Sequence, residues 1–430
     1  MATHSARRRK ALTTAGAVAA AATLLITAGC SAGDGGDAGG DVTIEFAQWW
    51  EPELPDGALR GLIDQFEEQN PGVTVELISG PYASTKETLF AGAASGTMPD
   101  VVGLDGAWVS DFAKQGAIAD LTALMAEEGM DDSKLASQIQ IDGATYMIPV
   151  VNYVYPLFVN TDLLGAAGIS EVPSTRSEFE AATKAIAALG TGAAGWVLPL
   201  SLETPNGIQN DVMSWNWASG GSMLTDSGQP DVTNDSVVST VEYVKSLWDA
   251  GVIAAGSFTM KEQDKVEEFT NGRTGTMISS LSHINLIQES NPELNFDIAA
   301  IPAEDGYDGP RGIPYASWGI GVADGSEHKA EALKLVEFLM STDVNSELST
   351  IANAFPGNVD SAPEFGEGKE LFEKAFEIYQ SGYPANEFTG LPVAEELMRQ
   401  FNTEFQRYLS GDISVDDMLA TVQESWSAEF

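Results

Sequence analysis

Tryptophans and a carboxylate at the ends of short apolar runs are the residues of this chain best suited to recognition chemistry. Trp49 and Trp50 directly follow the alternating run Val42, Ile44, Phe46, and Asp105 and Trp108 follow the run Val101 to Leu104. An indole face covers the apolar side of a ring-shaped molecule, and a carboxylate accepts two hydrogen bonds in one plane. That pairing binds; it does not by itself break bonds. Each residue has a second reading. A tryptophan is commonly core packing with its N–H satisfied, and Asp105 can cap a helix beginning near Trp108. Trp196, Trp248 and Trp426 sit in or near helical patterns and are read as core.

The chain offers little for catalysis or metal binding. It has 3 histidines, two of them (His283 and His328) beyond the N-terminal region, and a single cysteine, Cys30. No HExxH, CxxC or phosphate loop is present, and Asn271-Gly272-Arg273-Thr274-Gly275 reads as a turn without P-loop spacing. The 63 acidic residues supply carboxylate pairs everywhere, so a pair has no diagnostic value. No cofactor and no metal are expected. The net charge of −42 argues against nucleic acid and anionic lipid surfaces as partners.

The N-terminus points outside the cell. Arg7-Arg8-Arg9-Lys10 precede an uninterrupted small and apolar run, Ala11 to Ile26, and then Thr27-Ala28-Gly29-Cys30. This is a signal peptide over residues 1–29. The small pair before Cys30 resembles the lipobox of bacterial lipoproteins, which makes Cys30 the expected lipidation site and residues 30–41 a flexible tether rich in Gly and Asp. The membrane is then met through the lipid alone. With one thiol, no internal disulfide holds the fold.

The elements that must position the tryptophans alternate between strand and helix. Strand Val42 to Phe46 is followed by helical spacing at Leu59, Leu62, Ile63 and Phe66, a break at Asn70-Pro71-Gly72, and a strand at Val73, Val75 and Leu77. A helix over about 83–94, the strand at Val101 and a helix near 109–115 complete a β-α-β-α-β-α order, which predicts a mostly parallel sheet flanked by helices. Thr175-x-x-Glu178 is a capping box, and further helices are expected around 237–248, 332–340 and 393–405 and at the C-terminus. The length exceeds one ordinary domain, so two lobes are expected.

Four stretches then carry a resemblance to family 1 of the extracellular solute-binding proteins, the receptors of ABC importers. They are Phe66 to Val75 with Asn70-Pro71-Gly72; Ala94 to Val102 with Met98-Pro99-Asp100; Ile148-Pro149 onward through Asn160-Thr161-Asp162 to Phe179; and Phe269 to Ile278. The resemblance implies an α/β, two-lobed periplasmic-binding-protein-like fold of type II, each lobe a mostly parallel sheet flanked by helices, with the ligand in a cleft between the lobes. The implied lobes are residues 42–151 plus 316–355 and residues 152–315 plus 356–430. Chain crossovers are placed near Val150–Val154 and Pro314–Trp318, with a return near Pro356.

The same resemblance extends the candidate ligand contacts beyond Trp49, Trp50, Asp105 and Trp108. Asn152 and Tyr153 fall in the first crossover, with Tyr155 two residues on. Trp215, Asn216 and Trp217 fall in a segment that often supplies aromatics, His283 where a stacking aromatic often sits, and Ser317 and Trp318 at the second crossover. Strand-like alternation would put Trp215 and Trp217 on one face. The implied function is a monomeric, lipid-anchored receptor that captures a carbohydrate by hinge closure and delivers it to permease subunits, without catalysis. A polyamine, metal or polyol phosphate as cargo, and a secreted glycoside hydrolase, are the alternatives.

Overall fold

Ile44 and Phe46 alternate inward along strand β1 (Val42–Gln48), the first of 12 strands among the described residues. The computed structural model describes residues 41–366 and 368–430, and the signal peptide, Cys30 and the tether therefore lie outside the described residues. The helix Ala58–Gln69 turns Leu59, Leu62, Ile63 and Phe66 onto the sheet and ends at Asn70, where Pro71-Gly72 stops it. The chain then enters β2 (Val73–Ser79), parallel to β1. After the helix Tyr82–Ser95, β3 (Val101–Leu104) joins β1 on its other side, also parallel.

The remaining strands of this sheet depart from the mostly parallel expectation. A two-residue Asp142-Gly143 turn, with φ of 52° and 83°, folds β4 (Ile139–Ile141) onto β5 (Ala144–Val154) as an antiparallel hairpin. Strand β10 (Gly312–Val322) runs antiparallel to both β3 and β5, and β11 (Phe355–Pro356) antiparallel to β5. The reason is connectivity. Parallel neighbours need a crossover helix between them, whereas β10 re-enters from the second half of the molecule with its direction reversed. The sheet is mixed, in the order β11-β5-β10-β3-β1-β2, with β4 and β12 (Tyr383–Ala385) attached to β5 and β10.

The second sheet is also mixed. It runs β7-β8-β6-β9, from β6 (Leu157–Asn160), β7 (Ala194–Trp196), β8 (Thr274–Ile278) and β9 (Phe296–Ala299), with only β7 and β8 parallel. Every residue of β3, β6 and β8 is buried, as expected for strands covered on both faces. Thr175 and Glu178 form the expected capping box at the start of the helix Arg176–Ala187, which packs on β7. The C-terminal helices Ala394–Leu409 and Val415–Ser427 bury Leu397, Phe401, Phe405 and Trp426 in the same core as Trp196, Trp215 and Leu247.

Two residues, Tyr155 and Pro156, connect β5 in the first sheet to β6 in the second, and the segment after β9 returns the chain to β10. The β5–β10 ladder pairs Tyr315 with Val154 and Ser317 with Asn152. The boundaries expected after Val151 and before Ala316 therefore fall within paired strands rather than in a loop. No helix among the described residues is long and apolar enough to cross a membrane.

Candidate functional site

Along β5 the residues alternate between faces, so Asn152 turns away from Tyr153, and Tyr155 follows just past the strand's end. Both tyrosines line a cavity of about 920 Å³ whose wall is drawn from both sheets. From the first sheet's side come Trp49, Asp105, Ser317 and Trp318; from the second come Asn206, Gln209, Asn210, Glu262 and His283. The C-terminal segment adds Asn386, Phe388, Thr389 and Glu395.

The aromatic wall is built in two layers. Trp318 lies over Trp50 with ring centroids 5.5 Å apart and planes within 6°, and Tyr153 meets Trp318 edge-on at 5.3 Å. Trp49 stands edge-on to Tyr82 at 5.3 Å and to Trp108 at 5.4 Å. Trp318 and Trp49 thus face the cavity, and Trp50 and Trp108, at most 1% exposed, hold them from behind. Asp105 accepts a hydrogen bond from the Ala107 N–H at 2.9 Å and one from the Tyr82 hydroxyl at 3.2 Å. Its side chain ties the turn before the helix Val109–Lys114 without capping that helix, whose N-cap is Trp108, and it lines the cavity. Burial pushes its carboxyl pKa up, against the bond from Ala107.

Six of the candidate residues do not reach the cavity wall, and their placement corrects the expectation. Trp50 and Trp108 are the supporting layer. Asn152 is buried on the opposite face of β5, with its amide 3.5 Å from the Pro356 carbonyl oxygen. Trp215, Asn216 and Trp217 lie in the helix Ser214–Trp217, so strand alternation does not apply to them. Trp215 packs among Phe179, Trp196 and Tyr243. Trp217 donates its indole N–H to Glu387 at 2.7 Å, and Asn216 is buried beside Ser236 and Ser222.

The polar floor contains the residues that sequence reasoning missed. A π-helical turn, Ile208–Met213, leads into the helix bearing Trp215. The wider turn brings Gln209 and Asn210 to the cavity and leaves Asp211 fully buried beneath it. Asp211 Oδ2 lies 3.0 Å from Lys265 Nζ, which also donates to the Ile278 carbonyl at 2.6 Å and pairs with Glu262 at 2.7 Å. Burial pushes the Asp211 carboxyl up. Burial alone would lower Lys265, but Asp211 and Glu262 overcome it and hold the ammonium charged.

Glu262 carries this buried charge to the surface of the cavity. Its Oε1 accepts from the Ser279 hydroxyl at 3.2 Å, and Ser279 Oγ lies 2.8 Å from His283 Nδ1. With the serine proton committed to Glu262, His283 donates through Nδ1, leaving Nε2 as an acceptor. Burial lowers the His283 pKa, so the ring is neutral at pH 7. The Tyr155 hydroxyl, its pKa raised first by burial, also feels the charges of Glu262, Asp105 and Glu53. The arrangement presents aromatic faces on one side and fixed acceptors on the other. No group of three or more His, Cys, Asp or Glu side chains is disposed to hold a metal ion among the described residues.

Residues 51–346 match the family of bacterial extracellular solute-binding proteins. The chain belongs to this family. It is 28% identical over 301 residues to a putative binding protein of Brucella abortus, covering 69% of this chain and 72% of that one. It is 25% identical over 371 residues to the diacetylchitobiose binding protein of Streptomyces coelicolor, covering 81% and 82%. Among solved structures, the cyclic alpha-maltosyl-1,6-maltose binding protein of Arthrobacter globiformis superposes with a TM-score of 0.76 at 22% identity, covering 90% of this chain and 99% of that one. The fold is that of the type II periplasmic binding proteins, an α/β architecture of sheets flanked by helices.

Proposed function

We propose that this protein is the extracytoplasmic receptor of an ABC importer and captures a carbohydrate, mono- or oligosaccharide, in the cavity between its two sheets. The observation that carries the reading is the cavity wall itself: Trp49, Trp318 and Tyr153 offer ring faces, and Asp105, Glu262, Gln209 and Asn210 offer planar acceptors and donors. Sugars need both chemistries. The diacetylchitobiose and maltosyl-maltose binding relatives support the choice of cargo. Two lobes, residues 42–151 plus 316–355 and residues 152–315 plus 356–430, close on the ligand because only the closed state lets both touch it. The bond chemistry of the ligand is left unchanged.

Isothermal titration against a panel of mono- and oligosaccharides tests the reading, with chromatography of the mixtures after incubation. Saturable binding without products is the expected result. Products would replace the receptor with a glycoside hydrolase, and silence across the panel would remove the carbohydrate. Anchoring belongs to the same proposal: acylated Cys30 holds a monomer at the outer face of the membrane, where it delivers cargo to permease subunits. Replacing Cys30 by serine should release the protein into the medium, and retention of C30S at the membrane would contradict the anchor.

A further inference from the structure

The charge lining the cavity is unbalanced, and this restricts which saccharide it suits. Neither lysine nor arginine lines it. Lys265 lies beneath the floor, engaged with Asp211 and Glu262, and Lys86 beside the wall is paired with Glu395 at 2.5 Å. Asp105 and Glu53 line the cavity without an ion-pair partner among the described residues; Asp105 has only the Tyr82 hydroxyl and the Ala107 N–H. A second observation is independent of these acids. Tyr153, 8% exposed, lines the same space, and its hydroxyl has no hydrogen-bond partner among the described residues.

From this lining we infer that the ligand is a saccharide bearing a protonated amine, held in the field of the Asp105 and Glu53 carboxylates and against the aromatic faces of Trp49 and Trp318. The inference rests on the carbohydrate reading above. Neutral hydroxyls satisfy the acceptor capacity of a carboxylate but leave its charge. Closing the cavity over a neutral sugar would therefore desolvate two carboxylates that have no ion pair of their own, Asp105 feeling Lys86 only at a distance and Glu53 having the Trp318 indole N–H. A uronate or phosphosugar would add to the repulsion. An ammonium group neutralises the site, gains from the ring faces through cation–π attraction, and is steered inward by a chain of net charge −42.

The test compares three disaccharides and one polyamine by calorimetry with the protein at pH 6 and low salt: chitobiose with free amines, diacetylchitobiose, cellobiose, and spermidine. The free-amine sugar is expected to bind at least about tenfold tighter than the acetylated or neutral one, with an advantage that shrinks as salt rises. Asp105→Asn and Glu53→Gln should each narrow the ratio between amine and acetylated forms by several-fold; Glu53 is solvent-exposed, so E53Q keeps the test readable if D105N folds poorly. Affinities of the three sugars within about threefold of one another, or a ratio untouched by E53Q and by salt, overturn the charge inference and leave the carbohydrate reading standing. Binding of spermidine with none of the sugars overturns both.

Discussion

At the scale of single residues, adjacent tryptophans have opposite work. Trp49 faces the cavity, whereas Trp50 lies beneath Trp318 at 5.5 Å and keeps that ring flat. Trp318→Phe, which shortens the platform, should weaken sugar binding by about tenfold, or ~1.4 kcal/mol. It should also remove most of the ligand-induced fluorescence change. Trp215→Phe, in the core, should lower the melting temperature and leave affinity within about twofold; equal losses in the two variants would contradict the assignment of the wall. Asp105 gives a prediction of opposite sign for stability and binding. Burial raises its pKa from 3.8, so its contribution to stability is fully present below pH 3.8 and is lost as pH rises through the folded value. Asp105→Asn should therefore raise the melting temperature at pH 7 while weakening the ligand, and a lower melting temperature would show that its bonds to Tyr82 and Ala107 dominate. Strand-end position in the sequence pointed to Trp49, Trp50, Asp105 and Trp108, and the family resemblance to Trp318, but neither could separate wall from support. That depends on which way each ring turns after the last paired residue, and no spacing encodes it for Trp50 or Trp108.

At the scale of elements, the helices and most strands were legible because their apolar periodicity and caps agree. Thr175 with Glu178, Gly96 after the helix Tyr82–Ser95 and Asn70-Pro71-Gly72 are local signals that the tertiary structure keeps. The strand directions were not legible, since β10 owes its antiparallel pairing to the path of the chain through the second sheet. The π-turn Ile208–Met213 left no signal either. It is held by contacts distant in sequence, with Asp211 on Lys265 and Gly207 packed so close to the Pro199 carbonyl that a methyl group has no room. Gly207→Ala should displace the turn and carry Gln209 and Asn210 off the cavity, costing both stability and affinity. The ion pair can be tested more sharply. Lys265→Met strands the buried Asp211 carboxyl and should cost about 3 to 5 kcal/mol in urea unfolding. Adding Asp211→Leu should recover much of that loss while affinity stays low, because Glu262 no longer has the ammonium that positions it. If the double variant bound sugar normally, Lys265 would serve the core and have no part in shaping the site.

At the scale of the molecule, the C-terminal segment meets the first sheet's side beside the cavity. Gly390 donates its N–H to the Gly106 carbonyl at 3.0 Å, and Lys86 on the first sheet's side pairs with Glu395 on the helix Ala394–Leu409. The exposed ion pair contributes less than about 1 kcal/mol. The approach at Gly106 is steric and less forgiving: a Cβ there would sit 2.6 Å from Thr389 Cγ2. If ligand binding works by bringing these surfaces together, saturating sugar should reduce the radius of gyration in solution scattering. At a hundredfold excess over Kd it should stabilise the protein by ~2.7 kcal/mol, on the order of 3 °C in melting temperature. Gly106→Ala separates closure from contact. The added methyl touches Thr389 while leaving the Asp105 carboxylate and the tryptophan faces in place, so if this contact belongs to the closed state it should penalise that state. Scattering from G106A should then remain extended at sugar concentrations that close the native protein, and affinity should fall by the factor that closure had contributed. Compaction and affinity equal to the native protein's would mean that the ligand is held by one half, with the other merely standing beside it.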